Sequence, residues 1–143
     1  MTTFLSSVDA RAEAVLAVDD AGFRLTYGQI DIAALQWLQA LGPKKKLVLL
    51  FCENTCAHLQ AYFGLLKAGH AVILMGAGSS AATIAELVDR HRPSAILNPD
   101  TGLKILDDRP PQAKDLHPDL AVLLSTSGST GSPKLARFSL SQM

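Results

Sequence analysis

The chain has 143 residues, and its 13 basic and 13 acidic side chains leave no formal net charge. That balance excludes the strongly basic faces by which nucleic acid or an anionic membrane surface is bound. The apolar content of 48%, counted without glycine, and a mean hydropathy of +0.22 are high for one domain, since globular chains reach about 45–50% only with glycine included, so part of the apolar surface is expected to meet another domain or subunit.

In chain order, Met1–Asp9 lacks a basic region and meets an acid early, unlike a secretory signal. Ala14–Val18 and Phe23–Leu25 flank Asp19-Asp20-Ala21-Gly22, which predicts a β-hairpin with a turn-forming centre. Thr26 followed three residues later by Gln29 matches a capping box. The helix it opens should carry Ile30, Ala33, Ala34, Trp37, Leu38 and Leu41 on one face and stop at Gly42-Pro43. Leu47–Cys52 is apolar without alternation, as in a strand buried on both faces.

Asn54 or Thr55 can cap a helix running to about Ala68, with Ala61, Tyr62, Leu65 and Leu66 inward and Gly69 just past its end. Cys52 and Cys56 stand in a C-x3-C spacing without nearby histidines and read as reduced, partly buried thiols of a cytosolic protein. Ala71–Met75 predicts a second buried strand, and Gly76–Ser79 a turn. Ser80 then opens a helix with Ile84, Leu87 and Val88 inward and Glu86 paired with Arg90, ended by Pro93. Ser94–Leu97 is a third strand before an Asn98-Pro99-Asp100 turn, and Asp107–Pro118 reads as an exposed loop. Leu120–Ser125 and Lys134–Phe138 are further strands joined by a hydroxyl- and glycine-rich loop. The fold class is therefore α/β, a largely parallel sheet flanked by helices that ends in a strand–loop–strand unit. No apolar run approaches the roughly 20 residues of a membrane span, and the chain reads as soluble and cytoplasmic.

The loop carries the chemistry. Ser125–Lys134 reads S-T-S-G-S-T-G-S-P-K, which can aim backbone N–H groups, hydroxyls and one ammonium at a single anion such as a nucleotide triphosphate. It is not a Walker A loop, because Gly131 is followed by Ser132-Pro133 and Lys134 by Leu135, and because a strand, not a helix, follows. A disordered Ser/Gly linker would not be expected between two strands.

This stretch resembles the phosphate loop of the adenylate-forming superfamily, which includes acyl-CoA synthetases, peptide-synthetase adenylation domains and luciferases. Leu25-Thr26-Tyr27-Gly28-Gln29-Ile30 is similar to that family's early L-T-Y-x-E-L motif, and Leu66–Ile73 to its L-K-A-G-x-A-x-V motif. Leu74 stands where the family usually has proline, and Leu135 where it commonly has glycine.

The resemblance implies that Thr126, Ser127, Gly128, Ser129, Thr130 and Gly131 wrap the phosphates of ATP with Lys134 beside them. It implies ATP and Mg2+ as cofactors, and attack of a carboxylic acid on the α-phosphate to give an acyl-adenylate. Transfer commonly follows to a thiol, of coenzyme A or of a carrier protein. Family members are several times longer. Their magnesium-holding glutamate, adenine and ribose contacts and lid lysine lie beyond the loop, so no catalytic or metal-ligating residue is assigned here. Residues 1–143 are accordingly expected to be the N-terminal portion of an adenylating domain, inactive alone and prone to self-association, with Ser139 capping a helix cut short. The competing reading is a small non-catalytic α/β binding module whose loop holds a phosphate or a partner. Among the histidines, His58 and His91 are expected to be solvated or cap-like and His70 structural, with no metal spacing among the four.

Overall fold

A computed structural model describes residues 11–106, 116–126 and 134–143. The described chain begins with a hairpin of β1 (Val15–Val18) and β2 (Arg24–Thr26), followed by α1 (Tyr27–Leu41). The central sheet is built from β3 (Leu47–Cys52), β4 (Ala71–Gly76), β5 (Ala95–Asn98), β6 (Gly102–Ile105), β7 (Leu120–Thr126) and β8 (Lys134–Ser139). Between them lie α2 (Cys56–Lys67) and α3 (Ala81–His91). The sheet order is β6-β5-β3-β4-β7-β8. The four inner strands are parallel, with β3 paired to β4 and β5, and β4 to β7, whereas β6 and β8 run antiparallel at the two edges.

Each helix starts where a hydroxyl side chain satisfies a free N–H of the first turn. Thr26 and Gln29 form the complete capping box, Gln29 N donating to Thr26 Oγ1 at 3.4 Å and Thr26 N to Gln29 Oε1 at 2.8 Å. Thr55 caps α2 and Ser80 caps α3. At the far end of α2, His70 N donates to Leu65 O and Gly69 N to Leu66 O, and Gly69 takes φ +88°, the left-handed turn by which a helix hands the chain on to a strand. The chain leaves α3 through Arg92 at φ 45°, directly before Pro93, which disfavours further helix at the residue preceding it.

Alternation along β3 distributes the core to two faces. Val48 and Leu50 pack with Val72, Leu97, Val122 and the α1 and α2 residues Leu41, Ala61, Leu65 and Leu66. Leu47 and Leu49 pack with Ile73, Met75, Leu123 and Leu87 of α3 on the other side. The unbroken apolar run of β3 follows from this, since both its faces are covered. A third cluster seats Leu25 and Ile30 against Cys56, fixing the hairpin to α2.

No predicted element covers Gly102–Ile105, which is an edge strand paired antiparallel with β5; three of its four residues are exposed, which removes the apolar signal. Leu38, expected on the inner face of α1, is 38% exposed, and with Ile32 and Leu35 it leaves an apolar outer side on that helix. Trp37 is only partly buried against the main core.

Candidate functional site

Because β3, β4, β5 and β7 are parallel, their carboxyl ends share one edge of the sheet. The chain leaves β3 toward α2 on one face and leaves β4 toward α3 on the other. Such divergence opens a crevice at the carboxyl ends of neighbouring strands, where open α/β sheets bind ligands. β7 lies beside β4 at this edge, with Val72, Ile73 and Leu74 opposite Val122, Leu123 and Leu124. Ala121, Val122 and Leu123 are buried, so the strand is anchored before it becomes exposed at Ser125.

Thr126 is the last residue of β7 and Lys134 the first of β8, and the two are Cα partners at the end of an antiparallel ladder that includes Ser125 with Leu135 and Leu124 with Ala136. The structure therefore brings the two ends of the hydroxyl-rich segment together at the carboxyl edge of the sheet. Ser127, Gly128, Ser129, Thr130 and Gly131 lie outside the described residues. No acidic residue occurs between Ser125 and Arg137, so the donor set of N–H groups, hydroxyls and ammonium suits an anion.

A second group of polar residues sits at the same edge. Glu53 follows β3, His58 lies in the first turn of α2 and Asp100 in the β5–β6 turn, and their ligand atoms all lie within 4.8 Å of one another. His58 is 2% exposed, so the solvated reading fails and the cap-like one survives, its Nδ1 standing 2.6 Å from the cap hydroxyl of Thr55. The sequence expects no ligand cluster here. The three residues come from separate elements, and only the pairing of β5 with β3 unites them.

His70, His91, Cys52 and Cys56 take no part in this group. His70 is buried and its Nδ1 accepts from Lys46 N at 3.2 Å. Burial, with Lys46 and Lys45 nearby, holds its pKa below the ordinary histidine value, keeping the ring a neutral acceptor. Burial likewise lowers His91, assisted by Arg90 and Arg137. Burial pushes the Cys52 thiol up to about 11, so it offers no thiolate near neutral pH. Cys56 donates through Sγ to Phe23 O at 3.2 Å, and both cysteines are free thiols. Among the described residues, no helix is long and apolar enough to cross a membrane.

Residues 5–143 match the model of a family described as AMP-binding enzyme. The chain is 28% identical, over 92% of its length, to cyclosporin synthetase simA of Tolypocladium inflatum, and 30% identical, over 83%, to the beauvericin nonribosomal cyclodepsipeptide synthetase of Beauveria bassiana. It spans only 1% and 5% of those proteins. Among solved structures, the Klebsiella oxytoca NpsA N-terminal subdomain in complex with 3-hydroxyanthranilyl-AMSN is similar over 95% of this chain and 39% of that one, with a TM-score of 0.69 at 18% identity. E. coli MenE with bound OSB-AMS is similar over 99% and 35%, with a TM-score of 0.72 at 19% identity. Those likenesses establish the sheet and its three helices as the fold of an N-terminal subdomain of adenylate-forming enzymes. The chain belongs to the AMP-binding enzyme family.

Proposed function

We propose that residues 1–143 form the N-terminal portion of an ATP-dependent carboxylate-adenylating domain and carry its triphosphate grip. The observation that supports this most directly is the segment S-T-S-G-S-T-G-S-P-K set between β7 and β8, with Thr126 and Lys134 paired at its base on the carboxyl edge of the sheet. In this reading Thr126, Ser127, Gly128, Ser129, Thr130 and Gly131 surround the β- and γ-phosphates and Lys134 adds a positive charge. The loop's task is to hold pyrophosphate as it leaves, offsetting charge that grows in the transition state. Mg2+ accompanies the nucleotide, and no residue of this chain is assigned to it.

The cyclosporin and beauvericin cyclodepsipeptide synthetases among the relatives favour an amino or hydroxy acid as the carboxylate and a carrier-protein thiol, rather than coenzyme A, as the acceptor of the acyl group. The acyl-adenylate and thioester steps belong to the whole enzyme. Calorimetric titration of MgATP into the chain, with and without Lys134→Ala, tests the assignment. Loss of a charged hydrogen bond worth about 1.5–3 kcal/mol should weaken binding roughly 10- to 100-fold. Equal affinity in the two proteins would remove Lys134 from nucleotide binding, and no binding by either would remove the loop. ATP–pyrophosphate exchange by the 143-residue chain should stay at background, and turnover would show that the adenylating residues are already present.

A further inference from the structure

We propose that Glu53, His58 and Asp100 form a binding site for one divalent transition-metal ion of the zinc class, separate from the nucleotide loop. Their three ligand atoms lie within 4.8 Å of one another. Imidazole and carboxylate ligands stand about 2.0–2.2 Å from such an ion, which places them about 3.4 Å apart in a tetrahedral shell. His58 Nε2 and Asp100 Oδ2 are 3.8 Å apart, beyond a hydrogen bond and close to the spacing of two ligands on one ion. The Asp100 side chain is 65% exposed and Glu53 is also exposed, so both carboxylates can close on an ion without disturbing the core.

The histidine is the fixed member. Its side chain is 2% exposed, and Nδ1 meets Thr55 Oγ1 at 2.6 Å. A ring proton on Nδ1, donated to that hydroxyl, would leave the Nε2 lone pair free for an ion on the Asp100 side, the arrangement that orients a metal-ligating imidazole. The positive end of α2, which would oppose a cation, is answered by Asp19, whose Oδ2 accepts from Cys56 N at 3.1 Å.

The basic residues with defined ion pairs are engaged elsewhere, Lys67 with Asp31 and Arg90 with Glu86. A nitrogen with two oxygens suits zinc or cobalt, whereas magnesium and calcium prefer oxygen-only shells, which separates this site from the counter-ion of ATP. An ion here would tie the β3–α2 connection to the β5–β6 turn, closing one edge of the sheet.

Co2+ titration of the tag-free chain, followed by visible absorption and by thermal unfolding, tests the site. One equivalent should bind with ligand-field bands typical of nitrogen and oxygen donors and raise the melting temperature, and Zn2+ should displace it. Asp100→Asn and Glu53→Gln, both at exposed positions, should each weaken binding at least tenfold while leaving the metal-free melting temperature unchanged. His58→Gln should abolish binding, although it also removes a buried ring. Absence of saturable binding in the wild-type chain overturns the proposal. Binding that survives either carboxylate substitution undiminished also overturns it, as does a sulfur-to-metal charge-transfer band, which would place the ion on Cys52 or Cys56.

Discussion

Three backbone N–H groups converge on the carboxylate of Asp19. Ala21 N and Phe23 N donate to Oδ1 at 3.1 and 3.0 Å, and Cys56 N donates to Oδ2 at 3.1 Å. One side chain thus shapes the β1–β2 turn and caps the first turn of α2. The bond from Cys56 is the largest cause holding its pKa below the ordinary value of 3.8, with those from Phe23 and Ala21 adding to it against partial desolvation. Because the folded value is depressed, the stabilisation is present above the unfolded value and fades as pH falls through the folded one. Thermal unfolding followed from pH 7 to pH 2 should show a smaller acid-limb loss in Asp19→Asn than in the wild-type chain. Asp19→Ala should melt lower at pH 7. Identical acid limbs in wild type and Asp19→Asn would show that the carboxylate charge contributes nothing to folding.

At the scale of elements, α1 and α2 meet where glycine leaves no side chain. A Cβ added at Gly64 would stand 2.7 Å from Ala33 Cβ and 3.1 Å from Trp37 Cδ1. Ala33 has no rotamer to turn away, so the helices would have to separate. Alanine in a helix interior is favoured over glycine by about 1 kcal/mol, whereas overpacking a close contact costs about 1–3 kcal/mol. The contact should win, and Gly64→Ala is expected to lose on the order of 1 kcal/mol in urea unfolding. Combining it with Ala33→Gly should recover part of that loss, giving a favourable coupling energy in the double-mutant cycle. A Gly64→Ala chain as stable as wild type would refute the close crossing.

These elements differ in how far local sequence could reveal them. Thr26 with Gln29, Thr55 and Ser80 mark helix starts because a cap acts within three residues of itself. The buried strands β3 and β4 show as continuous apolar runs because both their faces are covered. β6 is exposed at three of its four positions and exists through its ladder with β5, which no local pattern encodes. The same limit hid the grouping of Glu53, His58 and Asp100. Glu53 and His58 are close in sequence, but Asp100 joins them only because β5 returns beside β3. The hydroxyl- and glycine-rich segment proposed to hold phosphate is the opposite case, a contiguous pattern that stands out before any fold is known, and the structure adds that its ends meet as Thr126 and Lys134.

For the whole molecule, one group of exposed apolar side chains among the described residues lies on α1 and the hairpin, apart from Ile105, Phe138 and Met143 elsewhere. Ile32, Leu35 and Leu38 on α1 are 56%, 62% and 38% exposed, and the hairpin adds Val18 and Phe23 at 59% and 68%. The net charge is zero and the isoelectric point about 6.9, so no long-range repulsion keeps two copies apart near neutral pH. The isolated chain is therefore expected to pair with a second copy through the outer side of α1. Burying an exposed leucine or isoleucine contributes about 1.5–3 kcal/mol, and a two-fold interface counts each substitution twice. Ile32→Glu combined with Leu35→Lys should accordingly weaken association at least about tenfold while leaving the fold intact, because neither side chain belongs to the core. Sedimentation velocity across a range of loading concentrations measures this directly. Added salt separates the causes, since association through apolar faces persists where exposed charge pairs are screened. A wild-type chain that sediments as a monomer throughout the range, or a double variant that associates as strongly as wild type, would rule out this surface as a contact between copies.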